Sequence, residues 1–376
     1  MKDIVKIFVT GDLCFLSKTE RLIIDDKYEK VFNDINNDFL NNDLNIVDLE
    51  CPITDHKEGI HKSGPLLKTD SNTIKVLSYL HVNLVAMSNN HIMDYGVKGL
   101  KDTIAFCAES GIDIVGVGNT LLEARKPFFK EIKGKIISVL NFTENEFSCT
   151  YGDYPGANPL NLIDNYRDIV KAKSNADFVL VLFHGGNEFY NLPSPRVKKT
   201  CRFFVEAGAD AVVMHHSHTL SGYEIYDNTP IFYGLGNFNF EWEGRVNVPW
   251  NYGYTVRFVL SENKTKFEIL PHQQSNGTQG TFKLHGDEKN NILENIAELN
   301  RVIQDDAELN IRFKSFCREK ESLYAMYFQP YSGKILPPLY RRGLLPNLYS
   351  KQKTRLILNL IRCESHRDIF LHLLQK

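Results

Sequence analysis

The sequence predicts an α/β domain around a largely buried sheet, followed by a helical extension. Three observations carry this expectation. Short apolar runs alternate with helix-like stretches as far as about Asn239. Polar, metal-competent residues stand repeatedly at the C-terminal ends of those runs, where open α/β sheets place their ligands. From about Asp287 onward the periodicity becomes helical.

The elements follow in order. "VKIFVTGD" is a strand ending in Gly11-Asp12, and "LNIVDLE" is a second, ending on Asp48 and Glu50. "HVNLVAMSNNH" is a third, closing on Asn90 and His91, with Asp94 just beyond. "IDIVGVG" and "KIISVLNFT" are a fourth and fifth, and "DFVLVLFHGG" a sixth that delivers His184. "ADAVVMHHSH" is a seventh, ending in three histidines, and "PIFYGLGNF" an eighth. "GVKGLKDTIAFCAESG" and "SPRVKKTCRFFVEAGA" read as helices closed by glycine. "YGYTVRFVLSENKTKFEILPH" reads as two antiparallel strands around a turn at Glu262-Asn263, and "QQSNGTQGTF" as a loop or linker. The expected division is an α/β domain over residues 1–275 and a linker with helical extension over 276–376.

Length and composition narrow the function. A chain of 376 residues suits one large domain with an appendage, and 43% hydrophobic with 24% charged residues is ordinary for a globular protein. With 44 basic against 46 acidic residues, the net charge of −2 provides no global field for nucleic acid. The opening "MKDIVKIFVTGDLCF" is too short and too polar for a signal-peptide core or a membrane span. No transmembrane segment is expected anywhere, and a cytoplasmic location follows as the expectation. Seven scattered cysteines without a C-x-x-C pair argue against a disulfide framework or thiolate zinc finger. Cys363, His366 and His372 fall in the last helical stretch, expected to be a helical cap or interaction tail.

Taken together, Asp12, Glu50, Asn90, His91, His184, His216 and His218 offer carboxylate, amide and imidazole donors. Such a mixed set suits divalent Zn, Mn or Fe. Two ions about 3.5–4 Å apart could share a carboxylate and polarise a phosphoryl oxygen. His216 and His218, two residues apart, would share one side of an extended segment. Three histidines within "HHSH" seldom serve packing, and the buried-type strand before them brings them to the sheet's end.

In order, "GDLCF", "DLECPIT", "SNNHIMDYG", "GVGNTLLEARKP", "FHGGNEFY" and "GADAVVMHHSHTLSGYEIYDNTPIFYGLGNF" resemble the motifs of the CapA/PgsA family. These are bacterial capsule and poly-γ-glutamate synthesis proteins with a calcineurin-like metallophosphoesterase fold. The resemblance spans about residues 5 to 270 and leaves the helical tail outside. It implies a four-layer α/β/β/α sandwich with a C-terminal helical extension, and a site at one end of the sheets holding one or two divalent ions. It assigns Asp12, Glu50, Asn90, His184, His216 and His218 to the metal, with Glu50 bridging. It makes His91 the residue acting on the leaving group, and Asp94 and Glu188 partners that orient imidazoles.

Several positions depart from the superfamily pattern. Cys14 stands where a histidine ligand is usual, and a packed cysteine is expected there. Asp48 replaces the usual Asn, Met214 an expected Gly, and Gly234 a small hydroxyl residue. Lys62 and Lys68, around Gly64-Pro65, lie in a loop that could meet an anionic substrate or simply be solvated. "GVGNTLLEARKP" lacks a phosphate-loop ending and is expected to be a strand-to-helix turn capped by Asn119 and Thr120. Tyr324, Tyr327, Phe328 and Tyr331 are expected to pack a helical cap.

The function implied is a metal-dependent, phosphoesterase-like hydrolase in capsule, poly-γ-glutamate or exopolysaccharide synthesis. Its partners would be an anionic polymer or a phosphorylated or lipid-linked saccharide precursor, within a capsule synthesis complex. The alternative is a non-catalytic polymer-binding or scaffold component of such a complex.

Overall fold

The computed structural model describes residues 4–62, 64–261, 265–331 and 333–362. The expected turn at Glu262-Asn263, the tail residues Cys363, His366 and His372, and the Phe328 side chain lie outside that description. The chain divides into two compact units, Met1–Asn310 and Ile311–Lys376.

The first unit is built on two sheets. Among the described residues, the larger has eight strands, seven of them in the spatial order Thr281–Lys283, Thr265–Gln274, Tyr252–Leu260, Val5–Leu13, Leu44–Leu49, Leu84–Ala86, Asp113–Val115. The eighth, Asn237–Asn239, pairs alongside the C-terminal end of Val5–Leu13. The second sheet runs Tyr223–Tyr226, Thr229–Phe232, Ala211–His215, Phe178–His184, Lys135–Thr143, Phe128–Ile132. The parallel strands at the centre are buried throughout, which is why they read as unbroken apolar runs rather than alternating ones.

The sheets face each other through aromatic rings. Phe178 and Phe258 stand 6.0 Å apart and Phe232 and Phe258 5.9 Å apart, centroid to centroid. On the outer face of the first sheet, Phe32, Phe39, Leu77 and Leu100 from the helical segments pack onto Phe8, Val47 and Val85. The helices Leu162–Lys173 and Pro195–Glu206 cover the second sheet. The result is the α/β/β/α layering expected from the sequence. Pro195–Glu206 shows the local logic: Ser194 Oγ accepts from Val197 N at 3.2 Å, proline fills the first turn, and Gly208 turns the chain at φ +113°.

Three sequence expectations are revised here. "PIFYGLGNF" is two strands in different sheets, because Gly236 (φ +73°) carries the chain across the gap. "IDIVGVG" likewise breaks at Gly116 (φ +91°), where a Cβ would meet Asn141 Oδ1 at 2.4 Å. "QQSNGTQGTF" is a hairpin turn, since Thr281–Lys283 pairs back on His272–Gln274. The first unit also takes in the helix Gly286–Gln304, beyond residue 275, through the buried Ile296, Leu299, Val302 and Ile303.

The second unit carries the helices Glu321–Phe328, Leu336–Arg341 and Lys351–Arg362. Tyr324 and Tyr327 are exposed there rather than packed as a cap core. Among the described residues, no helix is long and apolar enough to cross a membrane.

Candidate metal centre

Strand ends converge on one buried cluster. Asp12 lies near the end of Val5–Leu13, Asp48 within Leu44–Leu49, and Glu50 just past it. His184 closes Phe178–His184, and His216 and His218 follow Ala211–His215. Asn90 and His91 lie in the loop after Leu84–Ala86, a strand that stops short of the polar residues the sequence reading placed at its end. All seven expected residues are buried.

His184 is the hub. Its Nδ1 lies 3.2 Å from Asp48 Oδ2, and its Nε2 3.1 Å from Asn90 Oδ1, 3.2 Å from His216 Nδ1 and 3.7 Å from Glu50 Oε1. His218 Nδ1 sits 2.9 Å from Asn237 Oδ1 and 3.4 Å from Asp12 Oδ2, while its Nε2 is 3.4 Å from Glu50 Oε1. Ligand atoms of Glu50, His184 and His216 lie within 4.8 Å of one another, as do those of Asp12, Glu50 and His218, and those of Asp12, Asp48 and His184. Glu50 joins two of these groups.

The two histidines arrive by a different route from the one the spacing suggests. They do not alternate along an extended strand. His216 has φ +92° and His218 φ +55°, so the backbone turns left-handed at both. His216 N–H then donates to both Asp12 oxygens at 3.2 Å, tying the turn to the opening strand.

Electrostatics sort the charges. Burial works against an ionised Asp12, yet His218, His215 and His184 overcome it and hold the carboxyl down at about 2. Burial, with Asp12 adding to it and His215 opposing, pushes Asp48 up to about 7. Burial and then the Asp12 and Asp48 charges drive Glu50 well above the usual carboxylate range. Burial keeps His184 and His216 neutral, down at about 3.

This donor set fits a cation. A neutral His184 carries one proton. Whichever nitrogen holds it, the other aims a lone pair at an oxygen acceptor: Asp48 Oδ2 on one side or Asn90 Oδ1 on the other. Glu146 accepts from the Asn90 amide, which keeps the amide oxygen turned toward the histidine. Both Glu50 oxygens are buried without a hydrogen-bond donor. Such a cluster of converging acceptors is what a divalent ion satisfies.

His91 lies beside the cluster in its own network. Its Nδ1 is 2.7 Å from Asp94 Oδ2, which also accepts from Leu67 N at 2.7 Å. Lys62 Nζ pairs with Asp94 Oδ1 and lies 3.0 Å from His91 Nδ1, its side chain only 3% exposed. Lys62 is therefore part of this network and not a solvated loop residue. Lys68 Nζ instead donates to His56 O at 2.7 Å, holding the loop's own shape. Glu188 is exposed at the rim, where its charge acts on His216, Glu50 and Arg245.

Cys14 is absent from the donor set. It packs with Cys51, Leu67, Phe240 and Trp250, and burial raises its thiol pKa well above the ordinary value. Trp250 continues this apolar wall to the His218 ring, 4.5 Å away, and the Arg245 guanidinium lies 4.2 Å from the Trp250 ring centroid. "GVGNTLLEARKP" is the expected turn, with Thr120 Oγ1 accepting from Glu123 N at 3.3 Å. Sequence reasoning missed Glu146 and gave no role to Asn237. Asn237 stands at a strand junction like the other cluster residues, a usable signal; Glu146, in the loop after Lys135–Thr143, has none.

The family model described as "Bacterial capsule synthesis protein PGA_cap" matches residues 6–241. The PGA biosynthesis protein CapA of Bacillus subtilis is 32% identical over 274 residues, 72% of this chain and 71% of that protein. The capsule biosynthesis protein CapA of Bacillus anthracis is 35% identical over 181 residues, covering 46% and 44%. A "probable polyglutamine synthesis accessory protein" of Mycobacterium tuberculosis is 28% identical over 215 residues, covering 54% and 57%. A hypothetical protein from Thermus thermophilus superposes with TM-score 0.45 and 14% identity, over 75% of this chain and 100% of that one.

Proposed function

Since this chain belongs to the family of bacterial capsule synthesis proteins, we propose that it is a metal-dependent, phosphoesterase-like hydrolase serving capsule or poly-γ-glutamate synthesis. The observation that carries the hydrolase is the buried convergence of carboxylate, amide and imidazole acceptors around His184 and Glu50, with no cationic side chain among them.

Asp12, Glu50, Asn90, His184, His216 and His218 would hold one or two divalent ions, Mn, Zn or Fe. When bound, such ions supply Lewis acidity toward a phosphoryl oxygen and lower the pKa of water. Asp48 keeps the His184 proton on Nδ1 and leaves Nε2 free to ligate. Asp94 holds the His91 ring through Nδ1 and would stabilise its imidazolium form, whose Nε2–H would be the proton given to a leaving oxygen. Lys62 neutralises Asp94 and closes the loop over that pair. Glu188 at the rim contributes negative potential beside His216. The substrate would be an anionic polymer or a phosphorylated or lipid-linked saccharide precursor.

Elemental analysis of protein purified without chelator, beside His216→Ala, tests the centre. Near-stoichiometric Mn, Zn or Fe that falls in the variant supports it; no metal in either protein after reconstitution removes the hydrolase. His91→Ala then tests catalysis, with loss of phosphoester hydrolysis at unchanged metal content. One observation favours a second reading, a non-catalytic polymer-binding component: the position of a usual ligand is the packed Cys14. Under that reading His91→Ala changes neither metal content nor polymer binding, and no hydrolysis is found in the parent.

A further inference from the structure

The charge of this chain is sharply segregated. Between Ile311 and Arg362 it carries eleven lysines and arginines against two acidic residues, Glu319 and Glu321, a formal balance of +9. The whole chain stands at −2, so everything outside that stretch totals −11. A net charge near zero thus conceals a strongly basic helical unit attached to an acidic domain.

The same stretch exposes apolar side chains. Tyr324, Tyr327, Leu344 and Leu348 are each more than half exposed. The helix Lys351–Arg362 has no acidic residue at all. Helical spacing sets Lys351 and Arg355 on one side and Leu356, Ile357 and Ile361, with Lys353 among them, on the other. Leu356 is 48% and Ile361 51% exposed, so the apolar side faces solvent for much of its area. At twelve residues this helix is too short to span a bilayer.

We propose that the basic unit Ile311–Arg362 docks on an anionic membrane surface, with the helix Lys351–Arg362 lying in the headgroup plane. Cationic and aliphatic sides on one short helix match the two halves of that interface, phosphate outside and acyl chain beneath. Each Lys or Arg near an anionic leaflet strengthens binding by roughly fivefold. A solvated polyanion such as poly-γ-glutamate could answer the charge but offers nothing to Leu356 and Ile361. The bilayer answers both.

The test is co-sedimentation of the full chain with phosphatidylcholine vesicles, with and without one-third phosphatidylglycerol, beside a binding assay for soluble poly-γ-glutamate. Binding is expected on the anionic vesicles only, weakening with added salt. Reversing Lys351→Glu, Lys353→Glu and Arg355→Glu together should lower vesicle affinity on the order of a hundredfold or more. The double variant Leu356→Gln, Ile361→Gln should weaken vesicle binding while leaving any polymer binding unchanged. A tail with no vesicle affinity, or one whose vesicle affinity ignores both variants, overturns the proposal. So does tail-dependent binding of poly-γ-glutamate without vesicle binding, which would make the polymer its partner. Equal thermal unfolding of the acidic domain in all variants excludes misfolding as the cause.

Discussion

Replacing Glu50 with Gln should reverse the order of stability of the two proteins between chelator and metal. Glu50 is fully buried, both of its oxygens lack a donor, and Asp12 and Asp48 press negative charge on it. A buried acceptor without a partner costs about 1–3 kcal/mol. The amide NH2 of glutamine places two donors among these acceptors at nearly the same shape, and should therefore raise metal-free stability by about 1–3 kcal/mol. In metal the balance turns. An ion present at a hundred times its Kd stabilises the parent by about 2.7 kcal/mol, and the variant forfeits most of this. Differential scanning calorimetry in EDTA and in Mn, Zn or Fe reads both limbs, with a difference of about 2 °C for each kcal/mol. The same stability order in both buffers would refute the reasoning, because Glu50 would then be structural and not a ligand.

Three further outcomes are expected. Gly236→Ala should cost about 3 kcal/mol in denaturant unfolding and weaken metal binding, since its Cβ would stand 2.7 Å from Tyr252 O at φ +73°. Cys14→Ala should cost about 1 kcal/mol and leave metal content unchanged by elemental analysis, because the thiol packs and does not ligate. Burial holds His272 neutral in the folded protein, down at about 4, against an ordinary value of 6.5. The unfolded chain therefore takes up this proton first, and stability present above pH 6.5 is lost as pH falls toward 4. The loss is about 3 kcal/mol for this residue, and His272→Gln should remove that share of the slope in chemical denaturation.

The strand ends were legible because burial on both faces writes an apolar run, and a polar residue that interrupts its end stands out. Asp12, Glu50 and His184 were found this way, and the cluster contains them. His216 and His218 were found by composition, but their conformation was not legible: left-handed φ at two non-glycine residues depends on Asp12 accepting from the turn, a contact across about two hundred residues. The sheet change inside "PIFYGLGNF" was hidden for a similar reason. Each half reads as strand, and only the left-handed φ at position 236 and the approach of Tyr252 O to it explain why glycine must stand between them. Glu146 was invisible because its role is relayed: it turns the Asn90 amide, and nothing in its own neighbourhood marks it. The tail's charge was readable by counting, yet the balanced total obscured it.

The chain's passage from one sheet to the other has a mechanical consequence. Gly236 O accepts from Asp12 N at 3.1 Å, and the next residue, Asn237, holds His218 at 2.9 Å. The crossing thus grips a donor from the first sheet and one that follows the second, within two consecutive residues. Sliding of one sheet against the other would have to drag this pin along, so Asp12 and His218 shift together or not at all. Their spacing is insulated from shear in the layers around them, and distant insertions on either outer face can accumulate without altering the distance between them.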